Sequence, residues 1–367
     1  MRFVFIIQGE GRGHMTQAIS LHDMLKAAGH EVALVLVGKS ARREIPAFLY
    51  EKLKAPIEVF ESPNFVTDSK NKSIRLGATL WQNLLKSPGF FKQMAHMHRR
   101  IKSAEADVVV NFYDLLGGLY FLFYAPGIPY VCIGHQYLLL HPEFTWPKGR
   151  AMERFFLNTN TKITASRATL LLGLSFRPMS DQPDIKLAVV PPLLRKEVAE
   201  LQPKEGDYLL GYMVNDGYSE EITHWHLNRQ EVPMHCFYDK KGMPESHELH
   251  PNLTFHQLND SKFLEKMEGC MGYASTAGFE SICEAMYLGK PVCLVPTENQ
   301  FEQACNALDA VASGAGITRE NFTLDEFLDY IPKHQPTGAW FREWADSAPN
   351  RFLRLLEGLR AARKVKA

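Results

Sequence analysis

What most constrains this chain is a rhythm that runs through it twice. Short apolar runs rich in Val, Ile, Leu and Phe alternate with longer stretches of helical period. "RFVFIIQ", "EVALVLV", "IEVFE", "DVVVNF" and "PYVCIG" are separated by helical segments at about 14 to 28, 40 to 54, 74 to 104 and 114 to 125. Strands this continuously apolar are buried on both faces, and the intervening helices supply the cover, so a parallel sheet is predicted. A proline-bearing polar stretch between 140 and 185 interrupts the pattern, and the short strand "LAVVPPLL" ends it. The rhythm then resumes with "YLLGYMV", "VPMHCFY", "NLTFHQL", "GCMGYAS", "PVCLVP" and "GAGITR". Helices are expected between these at about 218 to 229, 260 to 268, 277 to 288 and 300 to 313.

The predicted class is α/β, with two Rossmann-like parallel-sheet domains over residues 1–190 and 193–338 that face each other across a cleft. A length of 367 residues suits two domains. Pro191 and Pro192 stiffen the junction. An amphipathic tail, 339–367, with Trp340, Trp344, Phe352, Leu355 and Leu356 at helical spacing, is expected to pack back across it. Ligands of such sheets bind at strand C-terminal ends, which places the site between the domains.

Charge argues against a nucleic-acid partner, since Lys plus Arg and Asp plus Glu both number 41. Six cysteines without a CxxC pair read as reduced core residues, and a cytoplasmic location is expected. No secretory leader is expected before "MRFVFIIQ". The uncharged stretch 115 to 134 is broken by Pro126, Gly127 and Pro129, which suits a helix, a turn and a strand better than a membrane span.

Chemistry concentrates in two places. "FIIQGEGRGHMTQAISL" carries Gly9, Gly11 and Gly13 at the first strand-to-helix turn, but His14 stands where a dinucleotide fingerprint needs its third glycine, and the second strand ends "LVLVGKS" without an acidic residue. P-loop spacing is also lacking. A histidine opening a helix is held neutral by the helix dipole and suits a general base. The alternative for His14 is that it only caps the helix or bonds a loop carbonyl. The second place is "ASTAGFESICEAMYLGKPVCLVPTENQFEQACNA", residues 274 to 307. Ser275, Thr276, Ala277 and Gly278 form a small-residue turn whose free N–H groups suit a diphosphate. Glu280 and Glu284 share a helix face, where a carboxylate accepts ribose hydroxyls, and Asn299, Gln300, Glu302 and Gln303 offer groups for a sugar.

This second stretch resembles the donor-binding signature of GT-B glycosyltransferases that use nucleotide sugars, close to both the peptidoglycan lipid-intermediate N-acetylglucosaminyltransferase and the UDP-glycosyltransferases. "GFESICEAMYLGKP" and "EQACNA" carry the likeness, and "GRGHMTQA" is similar to the family's glycine–histidine turn. The resemblance implies an inverting, metal-independent glycosyltransferase. Within it, His14 after Gly13 is the base, Gly278 marks the phosphate turn, Glu284 holds the ribose, and Glu302 and Gln303 hold the donor sugar. It also implies a UDP-sugar donor, with the base held by backbone groups of His256 to Leu258 in "TFHQLND"; a thymidine diphosphate donor fits almost as well. No cofactor or metal is expected, as the chain has no D-x-D motif.

Departures from the family are visible. Asn111 stands where the small-molecule transferases orient the histidine with an aspartate, and Asp114 is the substitute, or else caps its own helix. "GYMVNDGYS" lacks the family's phosphate loop, with Asn215 or Ser219 as compensation. The histidine pairs His96 with His98 and His224 with His226 lack metal spacing. An epimerase of the same fold and a non-catalytic nucleotide-sugar-binding module are the alternatives to transfer. In "GATLWQNLLKSPGFFKQMAHMHRRIK", Leu80, Trp81, Leu84, Leu85, Phe90 and Phe91 stand beside Lys86, Lys92, Arg99, Arg100 and Lys102. That composition suits an interfacial helix, hence a peripheral membrane contact and a lipid-linked or hydrophobic acceptor. The alternative is a core-facing stripe with a solvated basic side.

Overall fold

Phe3, Val4, Phe5, Ile6 and Ile7 are completely buried, so strand β1 (Arg2–Gln8) needs cover on both faces and neighbours on both edges. The computed structural model describes residues 1–39, 44–62, 87–213, 216–240 and 242–366. In the first domain β1 is followed by β2 (Glu31–Lys39), β3 (Ile57–Glu61), β4 (Val108–Phe112), β5 (Tyr130–Gly134), β6 (Leu170–Leu174) and β7 (Leu187–Val190). They form one sheet in the order β3-β2-β1-β4-β5-β6-β7. Every pairing in it is parallel. From β1 the chain steps outward to β2 and β3 and then returns past β1 to β4, which opens a crevice at the C-terminal ends of β1 and β4.

The second sheet repeats the device with β8 (Leu209–Met213), β9 (Met234–Tyr238), β10 (Ser246–His250), β11 (Leu253–Gln257), β12 (Gly272–Ser275), β13 (Val292–Leu294) and β14 (Gly316–Thr318). Its order is β10-β11-β9-β8-β12-β13-β14, with the crevice between β8 and β12. Only β10 runs antiparallel to its neighbour among the described strands.

The predicted pause between 140 and 185 is corrected: it holds a helix, Ala151–Thr164, and strand β6. "LLLGL" has no β-branched residue, so the strand signal was weak there. β10, "SHELH", is polar because it is an edge. The uncharged stretch is a helix, Leu115–Tyr124, then Gly127 at φ 71° and then β5. Among the described residues no helix is long and apolar enough to cross a membrane. All six cysteines are buried and free.

Leu80, Trp81, Leu84, Leu85, Lys86 and Asn215 lie outside the described residues. In the described helix, Ser87–Ser103, Phe90, Met94, Met97 and Ile101 are buried in the first domain's core while Lys92, Arg99 and Lys102 are exposed. That part of the segment therefore has the core-facing arrangement. Only Phe91, against Phe123, is an outward aromatic on it.

Two helices end the described chain, Gly338–Asp346 and Ala348–Lys366. The first is tied to the second domain through Arg342, whose Nε donates to Tyr287 O at 2.8 Å, and to the first through Trp344, whose Nε1 donates to Ser175 O at 3.0 Å. The second helix pairs Arg351 with Asp181 at 2.5 Å and Glu357 with His30 at 2.9 Å.

In the first domain, helices Leu115–Tyr124 and Ala151–Thr164 meet at Gly118, where a Cβ would fall 2.5 Å from both Ile163 O and Thr164 Cα. Because the obstacle is backbone, it cannot swing aside. Gly118→Ala is expected to destabilise the protein by about 1–3 kcal/mol, read as a lower denaturant midpoint at unchanged slope.

Candidate active site

The turn after β1 sets the geometry. Gly9 N donates to Gly38 O at 2.6 Å, and a Cβ on Gly9 would fall 2.8 Å from that oxygen. On Gly13 a Cβ would fall 3.2 Å from Glu280 Cγ in the opposite domain, whereas Gly11 meets nothing. One glycine thus serves the sheet and another the approach of the domains.

Helix Arg12–Ala27 starts at an N-cap, Gly11, without a side-chain cap, so His14 in its first turn is not the cap. The ring of His14 stacks on Tyr113, with centroids 5.9 Å apart and planes 26° from parallel, and its Nδ1 lies 3.3 Å from Gln17 Oε1. Burial pushes the His14 pKa down to about 4, and the Gln17 hydrogen bond opposes this only in part. Neutral His14 was expected; burial rather than the helix terminus is the main cause.

Tyr113 takes a left-handed conformation, φ 61°. Asn111 enforces it: its Oδ1 accepts from Asp114 N at 2.8 Å and its Nδ2 donates to Asp114 O at 2.9 Å. Asp114 caps helix Leu115–Tyr124, its Oδ1 accepting from Gly117 N at 2.8 Å. Its other oxygen lies against Gly38, where a Cβ would come within 2.1 Å of it. Burial raises the Asp114 pKa to about 6, against the hydrogen bond from Gly117. The expectation that Asp114 orients His14 is therefore corrected: Asp114 is spent on the cap, and the side chain beside His14 Nδ1 is Gln17.

Across the cleft, β12 ends in the predicted small-residue turn. The left-handed residue is Ala277, φ 57°, not Gly278, which is the extended N-cap of helix Phe279–Tyr287. Asn306 Nδ2 donates to Ala277 O at 3.0 Å and holds the turn. Ala277 and Gly278 line a cavity of about 360 Å³ together with Gly13, His14, Glu280 and Glu284. Leu258, Gln300, Glu302 and Gln303 line it as well.

Four of the residues expected to bind the donor do not reach this cavity. Ser275 and Thr276 are buried beneath the turn. Asn299 is an exposed turn residue at φ 60°. His256 lies in β11, an interior strand because β10 covers its outer edge, and its ring bonds His235 at 3.1 Å and Ser246 at 2.9 Å. Its peptide groups face neighbours on both sides, so of His256 to Leu258 only Leu258 is left at the site. Ser219 is buried at the start of its helix and does not line the cavity either.

Several partners were not anticipated. Arg195, just past the domain junction, holds buried Glu284 with two bonds, Nε to Oε1 at 2.6 Å and an Nη to Oε2 at 2.7 Å. Gln136 of the first domain donates to Glu302 Oε1 at 2.9 Å, and Arg12 pairs with Asp260 at 2.9 Å. Gln303 Oε1 accepts from Thr297 N at 2.7 Å, which fixes the loop before helix Phe301–Ala312. His135 stacks on Phe279 at 4.4 Å. His96 and His98 turn to separate partners, Glu58 and Tyr120. Among the described residues no three His, Cys, Asp or Glu side chains gather as they would to hold a metal ion.

With this geometry in place, the family model described as glycosyl transferase family 1 matches residues 1–332. The chain belongs to that family. Solved structures of the same fold include the calicheamicin glycosyltransferase CalG4, with TM-score 0.63, 15% identity and 98% of each chain covered. The spinosyn rhamnosyltransferase SpnG, solved with thymidine diphosphate, matches at TM-score 0.60 and 15% identity over 97% of this chain and 100% of that one. MurG of Acinetobacter baumannii matches at TM-score 0.54 and 16% identity over 98% and 100%. No curated protein matches the sequence significantly. The family and the two facing sheets make the chain a GT-B transferase of glycosyl groups.

Glu280 gives the transferase cleft a pH signature. Burial lifts its pKa to about 8, with the Gln17 hydrogen bond pulling the other way and Glu284 adding to the rise. The folded protein then keeps a proton that the unfolded chain releases above its ordinary carboxyl pKa. Stability must fall with rising pH across that window, by up to about 1.4 kcal/mol per unit from this group. Glu280→Gln removes the slope. Its stability relative to the parent is expected to improve steadily from pH 5 to 8 in denaturant titrations.

Proposed function

We propose that the protein is an inverting, metal-independent glycosyltransferase that moves a sugar from a pyrimidine nucleoside diphosphate, UDP or dTDP, to an acceptor hydroxyl. The observation that carries this is a neutral, half-buried histidine facing a helix N-terminus and a paired carboxylate across one cavity. The acceptor oxygen attacks the anomeric carbon as the bond to the diphosphate breaks, and its proton passes to Nε2 of His14, the ring nitrogen that Gln17 leaves free.

The leaving diphosphate is met by backbone N–H groups at the start of helix Phe279–Tyr287 and by the helix dipole, a charge arrangement that dispenses with a cation. Glu284 accepts the ribose hydroxyls; each of its oxygens keeps a second lone pair beyond the bond to Arg195. Glu302 and Gln303 read the donor sugar, with Gln300 beside them. The likeness to a transferase solved with thymidine diphosphate supports a pyrimidine base, which Leu258 and Phe237 would flank. A hydrophobic acceptor remains the natural test set, since Phe91 and Phe123 leave apolar surface on the first domain.

Three measurements check this. Calorimetric titration is expected to rank UDP and dTDP above GDP, and a preference for GDP refutes the donor assignment. His14→Ala should bind nucleotide normally yet lose about 10² to 10⁴ in turnover; near-normal turnover removes His14 as the base. Treatment with EDTA should leave the rate of transfer to phenolic and lipid-linked acceptors unchanged, whereas a loss restored by Mg²⁺ or Mn²⁺ contradicts metal independence.

A further inference from the structure

Three side chains form one line across the cleft. His14 Nδ1 lies 3.3 Å from Gln17 Oε1, and Gln17 Nε2 donates to Glu280 Oε1 at 2.5 Å. His14 and Gln17 belong to the first domain and Glu280 to the donor helix of the second. An amide has one donor end and one acceptor end, so fixing either end decides the other. With its NH₂ given to Glu280, Gln17 can offer His14 only its oxygen.

We infer that Gln17 is the positioning residue for His14, that Glu280 orients Gln17 from the opposite domain, and that the line fixes His14 as the Nδ1–H tautomer with Nε2 as the basic atom. The inference rests on His14 being the base. It assigns to an amide the work that a carboxylate would do from the Asn111 position, where the side chain is instead used within its own turn. It also makes the tautomer depend on closure, because opening the cleft takes Glu280 from Gln17 and frees the amide to turn over. The close pass of Glu280 over Gly13, whose missing side chain leaves just enough room, is what brings the carboxyl within reach.

Burial keeps Glu280 protonated at neutral pH, with Glu284 and Arg195 as its charged neighbours. With the proton of the neutral carboxyl on Oε2, Oε1 has only lone pairs to offer and accepts from the amide as a carboxylate oxygen would. A glutamine at 280 also has an oxygen to offer, so Glu280→Gln should preserve the line while Glu280→Met breaks it.

The test is the tautomer itself, read from long-range ¹H–¹⁵N spectra of full-length protein labelled at histidine, with the His14 signals assigned by their loss in His14→Ala. At pH 7 the parent and Glu280→Gln are expected to show His14 protonated at Nδ1. Gln17→Met and Glu280→Met should shift the population toward Nε2–H and lower turnover of UDP-glucose or dTDP-glucose by about tenfold or more. An unchanged His14 tautomer in both methionine variants overturns the inference, and so does Glu280→Gln behaving like Glu280→Met. These outcomes do not depend on His14 being the base. If His14→Ala keeps near-normal turnover, the assignment of the base fails even where the tautomer follows Gln17. If His14→Ala is inactive while Gln17→Met matches the parent in tautomer and rate, only the positioning inference fails.

Discussion

Glu280 is half-buried where helix Phe279–Tyr287 of one domain meets the first helix of the other, and the geometry of the cleft hangs on that contact. A charged carboxylate could not be taken out of water there without a partner of opposite charge, and Gln17 supplies only an amide. The carboxyl therefore holds its proton, with a pKa raised to about 8. Its bond to Gln17 joins two groups that are neutral at pH 7. Such bonds contribute about 0.5–1.5 kcal/mol net, less than bonds to charged groups.

The contacts between domains differ in kind. At the cleft they are single polar bonds: Gln17 to Glu280, Gln136 to Glu302 and Arg12 to Asp260. Elsewhere they are compound. Arg177 reaches both Asp309 and Ser313, and the terminal helices bind both domains through Arg342, Trp344 and Arg351. Multiply bonded ions cost more to separate than lone polar bonds. The difference favours movement at the cleft over separation at the junction.

Parallel strands announce themselves through continuous burial, which is why β1, β2, β4 and β5 could be read from composition alone. The two strands that escaped notice lacked the signal for physical reasons. β6 is built from leucine, which serves helices as well as strands, and β10 is a polar edge. Of the site, the elements were legible and the partnerships were not. The turn at 274–278 and the carboxylate at Glu284 are local patterns, but Arg195 reaches Glu284 from 89 positions away. Gln136 finds Glu302 across 166. Gln17 was within reach of the sequence, being three residues beyond His14 on one helix face. An aspartate at 114 looked like chemistry because it stands three residues past Asn111, where the resembled transferases carry an aspartate; in the fold it is the cap of its own helix.

The neutral surroundings of His14 also bear on the kind of transition state the cleft can serve. A carboxylate beside Nδ1 would raise the basicity of the imidazole; an amide does little, and burial leaves its pKa at about 4. So weak a base takes no proton from a resting alcohol. In the proposed reaction it does not need to, because the acceptor oxygen gains positive charge as it bonds to an oxocarbenium-like carbon and its proton becomes strongly acidic only then. Proton transfer must follow bond formation, and rate then depends less on the strength of the base than on its being neutral and correctly aimed at that moment. Tyr113, strained into a left-handed turn beneath the ring, and Gln17 at its edge serve that aim. In such a site the orientation of His14 matters more than its basicity.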